Sequence, residues 1–403
     1  MADSRATLGI SRHPFLTPAG TLFPRIPHVS NPSGLAPHFP SAAATADKAS
    51  RLQMLTLALR ILLVVAIVLL GAGPWLFDLN QLTLLTEFFT LLVLALMWNL
   101  LAGYADIVTV GQQGFVGVGA YAFFGLAALA GLDPFLSIIL AAVITAVLAV
   151  PALLFILRLR LAYLAVGTWV LADVLSLIAG KLPGFGGGSG VSLPISIARA
   201  FGGSVSQRVI TLYILAFILA AAALTATWCL LRSRVGLGLT AMRDNEEGAK
   251  SAGVDVPRMR VICFLWTAPF LGLAGALVTL QKVRVAPSAS FSITDWTIFI
   301  IFAVVIGGIG SLEGPIIGTA LFLLLREYLA DFGAWYLILL GAVSIAVILI
   351  EPRGLWGVWR RFFPIDVIPV SHKSPENMDR TDFAGTSRLE HSPLHRAETE
   401  EKA

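Results

Sequence analysis

A few residues stand out because an apolar setting makes their chemistry costly. Asp173 sits in Trp169-Val170-Leu171-Ala172-Asp173-Val174-Leu175 with no polar neighbour. A carboxylate there either binds a substrate or a proton, or it makes a hydrogen-bonded contact between helices. Glu87 stands in a second apolar run, and Arg326 beside Glu327 in a third. The latter two read as a structural ion pair or an interfacial anchor. Two polar, glycine-interrupted stretches add hydrogen-bonding groups. One is Val110-Gly111-Gln112-Gln113-Gly114, and the other is Gly307-Gly308-Ile309-Gly310-Ser311-Leu312-Glu313-Gly314-Pro315. Broken helices expose amides and helix N-termini that can meet a carboxylate, so Gly111, Gln112, Gln113, Gly114, Gly310, Ser311 and Glu313 are candidates for a solute path. Close helix packing plus a tight turn explains the same letters.

Other chemistry is missing. All six histidines lie near the two ends of the chain, from His13 to His38 and from His372 to His395. The apolar body therefore has no histidine base, metal ligand or proton relay, and no nucleophile-and-base set argues for an enzyme. No G-x-x-x-x-G-K-[ST] loop is present to cradle a nucleotide. Gly117-Val118-Gly119 follows no strand and reads as helix packing. Cys229 and Cys263 fit small core residues better than a disulfide framework or a metal site. Nothing resembles a selectivity filter. No cofactor is expected, and energy for active transport must come from a partner or an ion gradient.

The elements that position these groups are membrane helices. The chain has 403 residues, 57% hydrophobic and 13% charged, against roughly 25% charged in soluble domains. Its mean hydropathy is +0.84. A formal charge of +4 gives no argument for nucleic acid. The fold class is an all-α polytopic membrane protein that uses the lipid bilayer as solvent. About ten apolar runs are long enough to cross or nearly cross it: Leu59–Leu76, Leu82–Leu101, Val108–Ala130, Phe135–Leu157, Leu161–Ala179, Val209–Leu231, Val261–Leu280, Trp296–Ile309, Pro315–Leu329 and Ala334–Ile350. The eighth and ninth are short enough to be re-entrant. Residues 1–50, with seven prolines between Pro14 and Pro40, are expected to be a disordered tail without a signal-peptide core. The expected transmembrane domain is 51–365, and 366–403 form a polar tail.

The longest polar interruption is 232–260, which carries Arg232, Arg234, Arg243, Lys250, Arg258 and Arg260. Basic loops stay in the cytoplasm. With this loop inside, alternation puts Arg158, Arg160, Arg353, Arg360 and Arg361 inside, and both termini with them. Lys181, Arg199, Arg208, Lys282 and Arg284 fall outside. A short helix is expected over Ala241–Ala252, capped by Asp244 or Asn245 and ended by Gly253 and Pro257.

Glu247-Gly248-Ala249-Lys250-Ser251-Ala252-Gly253 resembles the EAA-xxx-G coupling loop of ABC importer permeases, with Gly248 where that motif has Ala and without its later Ile-x-Leu-Pro. Residues 234–246, 103-GYADIVTVGQQGFVGVGAY-121 and 307-GGIGSLEGPIIG-318 resemble the branched-chain amino acid permease subfamily. The likeness spans roughly residues 60 to 360. It implies a permease subunit in the bacterial cytoplasmic (inner) membrane. Its implied partners are two ATP-binding ABC subunits, a second, related permease, and an extracytoplasmic solute-binding protein docking near Gly184–Gly190. Arg243, Asn245, Glu246, Glu247, Ala249 and Gly253 would form the helix that meets the ATPase. The implied cargo is a branched-chain or related amino acid. The alternatives are urea or a short amide, or a stand-alone ion-coupled transporter with Asp173 as its coupling site.

Overall fold

The computed structural model describes residues 65–156, 161–329, 335–351 and 354–362, with a few isolated positions besides. Both expected tails lie outside the described residues, as do Arg158 and Arg160 and part of the first apolar run, Leu59–Leu76.

The fold is built around one helix, α1 (Leu79–Tyr104). From Phe89 to Leu101 it is buried on every side. A helix that is apolar all round belongs in the centre of a bundle, and α5 (Val205–Arg232), α8 (Val256–Lys282), α9 (Phe299–Gly307) and α10 (Gly314–Leu329) surround it. Glu87 of α1 pairs with Arg326 of α10 at 2.6 Å. The expected grouping of Arg326 with Glu327 is thus corrected: Arg326 reaches across to the neighbouring helix, where the pairing neutralises two costly charges.

A second group contains α2 (Gln112–Phe124), α3 (Pro134–Ile156) and α4 (Leu161–Ala179). Small residues bring α2 and α8 close enough for backbone contact. A Cβ on Gly275 would lie 2.0 Å from the Val116 carbonyl oxygen, and one on Gly119 would lie 2.3 Å from that of Gly272. In lipid such packing supplies what water-driven burial cannot. Past its end, α2 widens into a π-helical turn, Gly125–Leu129, and a second π-turn, Thr294–Ile298, precedes α9.

Among the described residues, six helices are long and apolar enough to span a membrane, and Tyr163–Ala179 and Ile338–Val347 are shorter apolar helices. About ten runs were expected; by that measure six qualify. The chain is an all-α multi-pass membrane protein. A two-residue antiparallel ladder, β1 (Val191–Ser192) with β2 (Arg284–Val285), ties the 181–208 segment to the 282–286 turn. The expected outer basic residues belong to these segments. At the opposite end lie Asp106, the 232–260 loop, the 308–314 turn, and α12 (Gly354–Phe362), which follows α11 (Trp335–Ile350). A Cβ on Gly354 would meet Gly308 at 2.6 Å, which places α12 against that turn.

Candidate functional site

The 232–260 loop folds as two helices where one was expected. Ser233 caps the first, α6 (Arg234–Asp244), by accepting from the Val235 and Gly236 amides. The chain breaks at Asn245, which turns extended at φ −160° and ψ 104°. Its side-chain oxygen accepts from the Gly248 amide at 2.9 Å and starts α7 (Glu246–Ser251). Residues 241–244 therefore finish the first helix, and Asn245, not Asp244, caps the second. Gly253 ends it with φ +88°, a left-handed conformation that favours glycine. Pro257 belongs to the first turn of α8, which Asp255 caps.

This pair of helices has two faces. Leu239, Met242, Ala249 and Val256 are buried against the bundle. Asp244, Asn245, Glu247, Gly248, Ser251 and Gly253 are exposed. The outer face is polar, as a face turned to water is.

Charged contacts then pin the loop to the bundle. Glu246 accepts from Lys250 at 2.9 Å and from Arg260 at 3.0 Å. The Lys250 hydrogen bond, helped by Arg260 and opposed by partial burial, holds the Glu246 carboxyl below its ordinary range. Arg260 also donates to the Ala105 carbonyl at 3.4 Å and lies 3.9 Å from Asp106, whose φ is +53°. Arg243 donates to the Gly310 carbonyl at 3.2 Å, pairs with Asp244 at 2.9 Å, and lies 5.5 Å from the centre of the Tyr104 ring. Behind Gly310 stands Asn99 of α1, 1% exposed. Its Oδ1 accepts from the Gly310 amide and its Nδ2 donates to the Ser311 carbonyl, both at 2.8 Å. The Ser311 hydroxyl donates to the Gly308 carbonyl at 2.9 Å and accepts from the Gly314 amide at 3.1 Å. Loop, turn and central helix are thus one hydrogen-bonded unit.

The eight residues expected along one path fall in three places. Gly310, Ser311 and Glu313 join the unit just described; Glu313 is half-buried where α10 begins. Gly111, Gln112, Gln113 and Gly114 are buried. A Cβ on Gly111 would lie 2.1 Å from the Thr168 carbonyl oxygen, and one on Gly114 would lie 2.9 Å from the Ala172 side chain. These glycines are where α2 seats on α4. Gln112 donates to the Leu94 carbonyl at 3.0 Å, and the Gln113 amide donates to the Thr297 hydroxyl at 3.3 Å, which in turn donates to the Gln113 side chain. Beside Gln112 a cavity of about 10 Å³ is lined by Thr109, Thr168 and Thr267 among others, room for roughly one water. Asp173 lies apart, on the exposed face of α4.

Asn99 and Arg260 were not singled out in the sequence as site residues. Asn99 had one available signal, an amide deep in an apolar run. Arg260 was visible only as one basic loop residue among several.

A polytopic helical bundle with a polar loop clamped to its broken helices has the architecture of a membrane permease. The family described as "Branched-chain amino acid transport system / permease component" matches residues 80–348, and the chain belongs to it. It is 27% identical over 322 residues to the high-affinity branched-chain amino acid transport system permease protein LivM of Salmonella typhimurium, covering 74% of this chain and 75% of that one. The corresponding LivM of Escherichia coli is 28% identical over the same extent. A probable branched-chain amino acid transport permease protein LivH of Methanocaldococcus jannaschii is 29% identical over 143 residues, 33% of this chain and 44% of that one. No solved structure matches.

Proposed function

We propose that this chain is one of two permease subunits of an ABC importer that moves branched-chain or related amino acids into a bacterial cytoplasm. Two ATP-binding subunits drive it, a second and related permease completes the pore, and an extracytoplasmic solute-binding protein delivers the solute. The chain sits in the inner membrane with both termini and the 232–260 loop in the cytoplasm.

The family match supports the class, and the loop supports the mechanism. Its outer face offers Glu247 and Gly253 to a soluble subunit. Its inner face is fastened to two separate parts of the bundle, through Arg243 to the 308–314 turn and through Arg260 to the end of α1. When ATP closes the ATPase pair, displacement of α7 pulls on both. A packed bundle responds to such a pull by switching between discrete arrangements, and that switching is alternating access. The basic residues of the loop agree with a cytoplasmic position.

Affinity purification of the intact complex from native membranes tests this reading. An ATPase and a second permease should come with the chain. Glu247→Lys should leave insertion intact and remove the ATPase. A chain that purifies alone and still transports without ATP overturns the proposal.

A further inference from the structure

Asp173 is the one group in the expected path that the fold leaves facing outward. It lies about 18 Å along α4 from Leu161 and about 9 Å from Ala179, at 1.5 Å per residue, and so at membrane depth. It is exposed, and among the described residues it has no hydrogen-bond or ion-pair partner. Glu87, another acidic residue within an apolar helix, contrasts with it through its 2.6 Å contact with Arg326. A carboxylate at this depth does not rest against lipid tails; it faces water or a partner.

The orientation of α4 is not free to change. Its inner face carries Thr168 and Ala172, seated where Gly111 and Gly114 have no side chains. Rotating α4 to bury Asp173 would drive larger side chains into those close approaches. The exposed face is held outward: Val166, Trp169, Val170, Asp173, Val174 and Leu177. It presents one carboxylate among large apolar groups. That combination matches a solute with an ammonium group and a branched apolar side chain, since the carboxylate attracts the cation and the apolar groups the rest.

We infer that this face of α4 lines a water-filled path against the second permease subunit, and that Asp173 binds the ammonium group of the amino acid passing through it. The inference rests on the importer reading above. No covalent bond forms or breaks; the Asp173 carboxylate exchanges water for an ammonium.

The test uses the whole complex in proteoliposomes. First, in a Cys229→Ser, Cys263→Ala background, Asp173→Cys should react with a water-soluble methanethiosulfonate, and leucine in excess should slow the reaction. Val147→Cys, 65% exposed on α3, should not react. Second, Asp173→Asn should raise the leucine KM by about tenfold or more, the scale of one charge-assisted hydrogen bond, with Asp173→Glu nearer wild type. The uncharged variant should also lose its discrimination against 4-methylpentanoate, which lacks the ammonium. An unreactive cysteine, or a leucine KM in Asp173→Asn equal to wild type, overturns the assignment. Should Asp173→Asn fail to assemble, the cysteine reaction and the Asp173→Glu KM decide. Wild-type uptake that needs no ATP would instead overturn the importer reading itself.

Discussion

Replacing Arg243 with alanine cuts the link between the loop and the 308–314 turn while leaving the rest of the loop's anchors in place. Three contacts go with it. The pair with Asp244, 2.9 Å apart, has side chains 39% and 69% exposed, so screening leaves it about 0–1 kcal/mol. It also lies wholly within the end of α6 and transmits nothing. The hydrogen bond to Gly310 is worth about 1 kcal/mol net at this exposure, and the contact with the Tyr104 ring adds about 0.5 kcal/mol. The lost linkage is therefore about 1.5 kcal/mol, roughly a tenfold weakening of coupling. That is small against the stability of the bundle, so Arg243→Ala should insert and assemble. The assay is the purified complex in proteoliposomes, read as leucine taken up per phosphate released. The ratio should fall about tenfold in Arg243→Ala and stay within about twofold of wild type in Asp244→Ala. An unchanged ratio in Arg243→Ala, or an equal loss in both variants, refutes the transmission route.

Asn99→Leu should strip the half-buried Gly310 amide and Ser311 carbonyl of their partners, costing about 1–3 kcal/mol and lowering the thermal unfolding midpoint in detergent by several degrees. Glu246 gives a pH dependence with a definite sign. Its folded pKa is lowered by Lys250 and Arg260, so its contribution is complete above the ordinary carboxylate range and is lost as pH falls through the lowered value. Proteolysis of the loop at Arg258 should therefore be slow and constant near neutral pH and accelerate below that range; in Glu246→Gln it should be fast at neutral pH and lack that step. Gly275→Ala would place a Cβ 2.0 Å from the Val116 carbonyl oxygen and should collapse the yield of folded protein, whereas Gly341→Ala, with nothing within 4 Å, should not.

The sequence showed the helices best where an apolar run was long and bounded. The buried stretch of α1, the span of α5 and the loop between α5 and α8 were all legible from length, charge and a few caps. The break at Asn245 was not, because Ser233 starts an earlier helix and nothing local says that it runs to Asp244. Long-range pairings were invisible in principle. Asn99 meets Gly310 across 211 positions, and Arg326 passes over its neighbour Glu327 to reach Glu87. The two glycine stretches have different structural roles. Gly111 and Gly114 permit close packing, whereas Gly310 and Ser311 form the loop's anchor. Which side of α4 faces outward depended on where α2 lands, and only the fold decides that.

The most direct test of the account is leucine uptake by the reconstituted complex, with solute-binding protein outside the vesicles and ATP either present or absent in the lumen. The account predicts uptake against a gradient only when ATP, both permeases and the ATPase subunits are all present. Equal accumulation by this chain alone, without ATP and driven by an ion gradient, would contradict it.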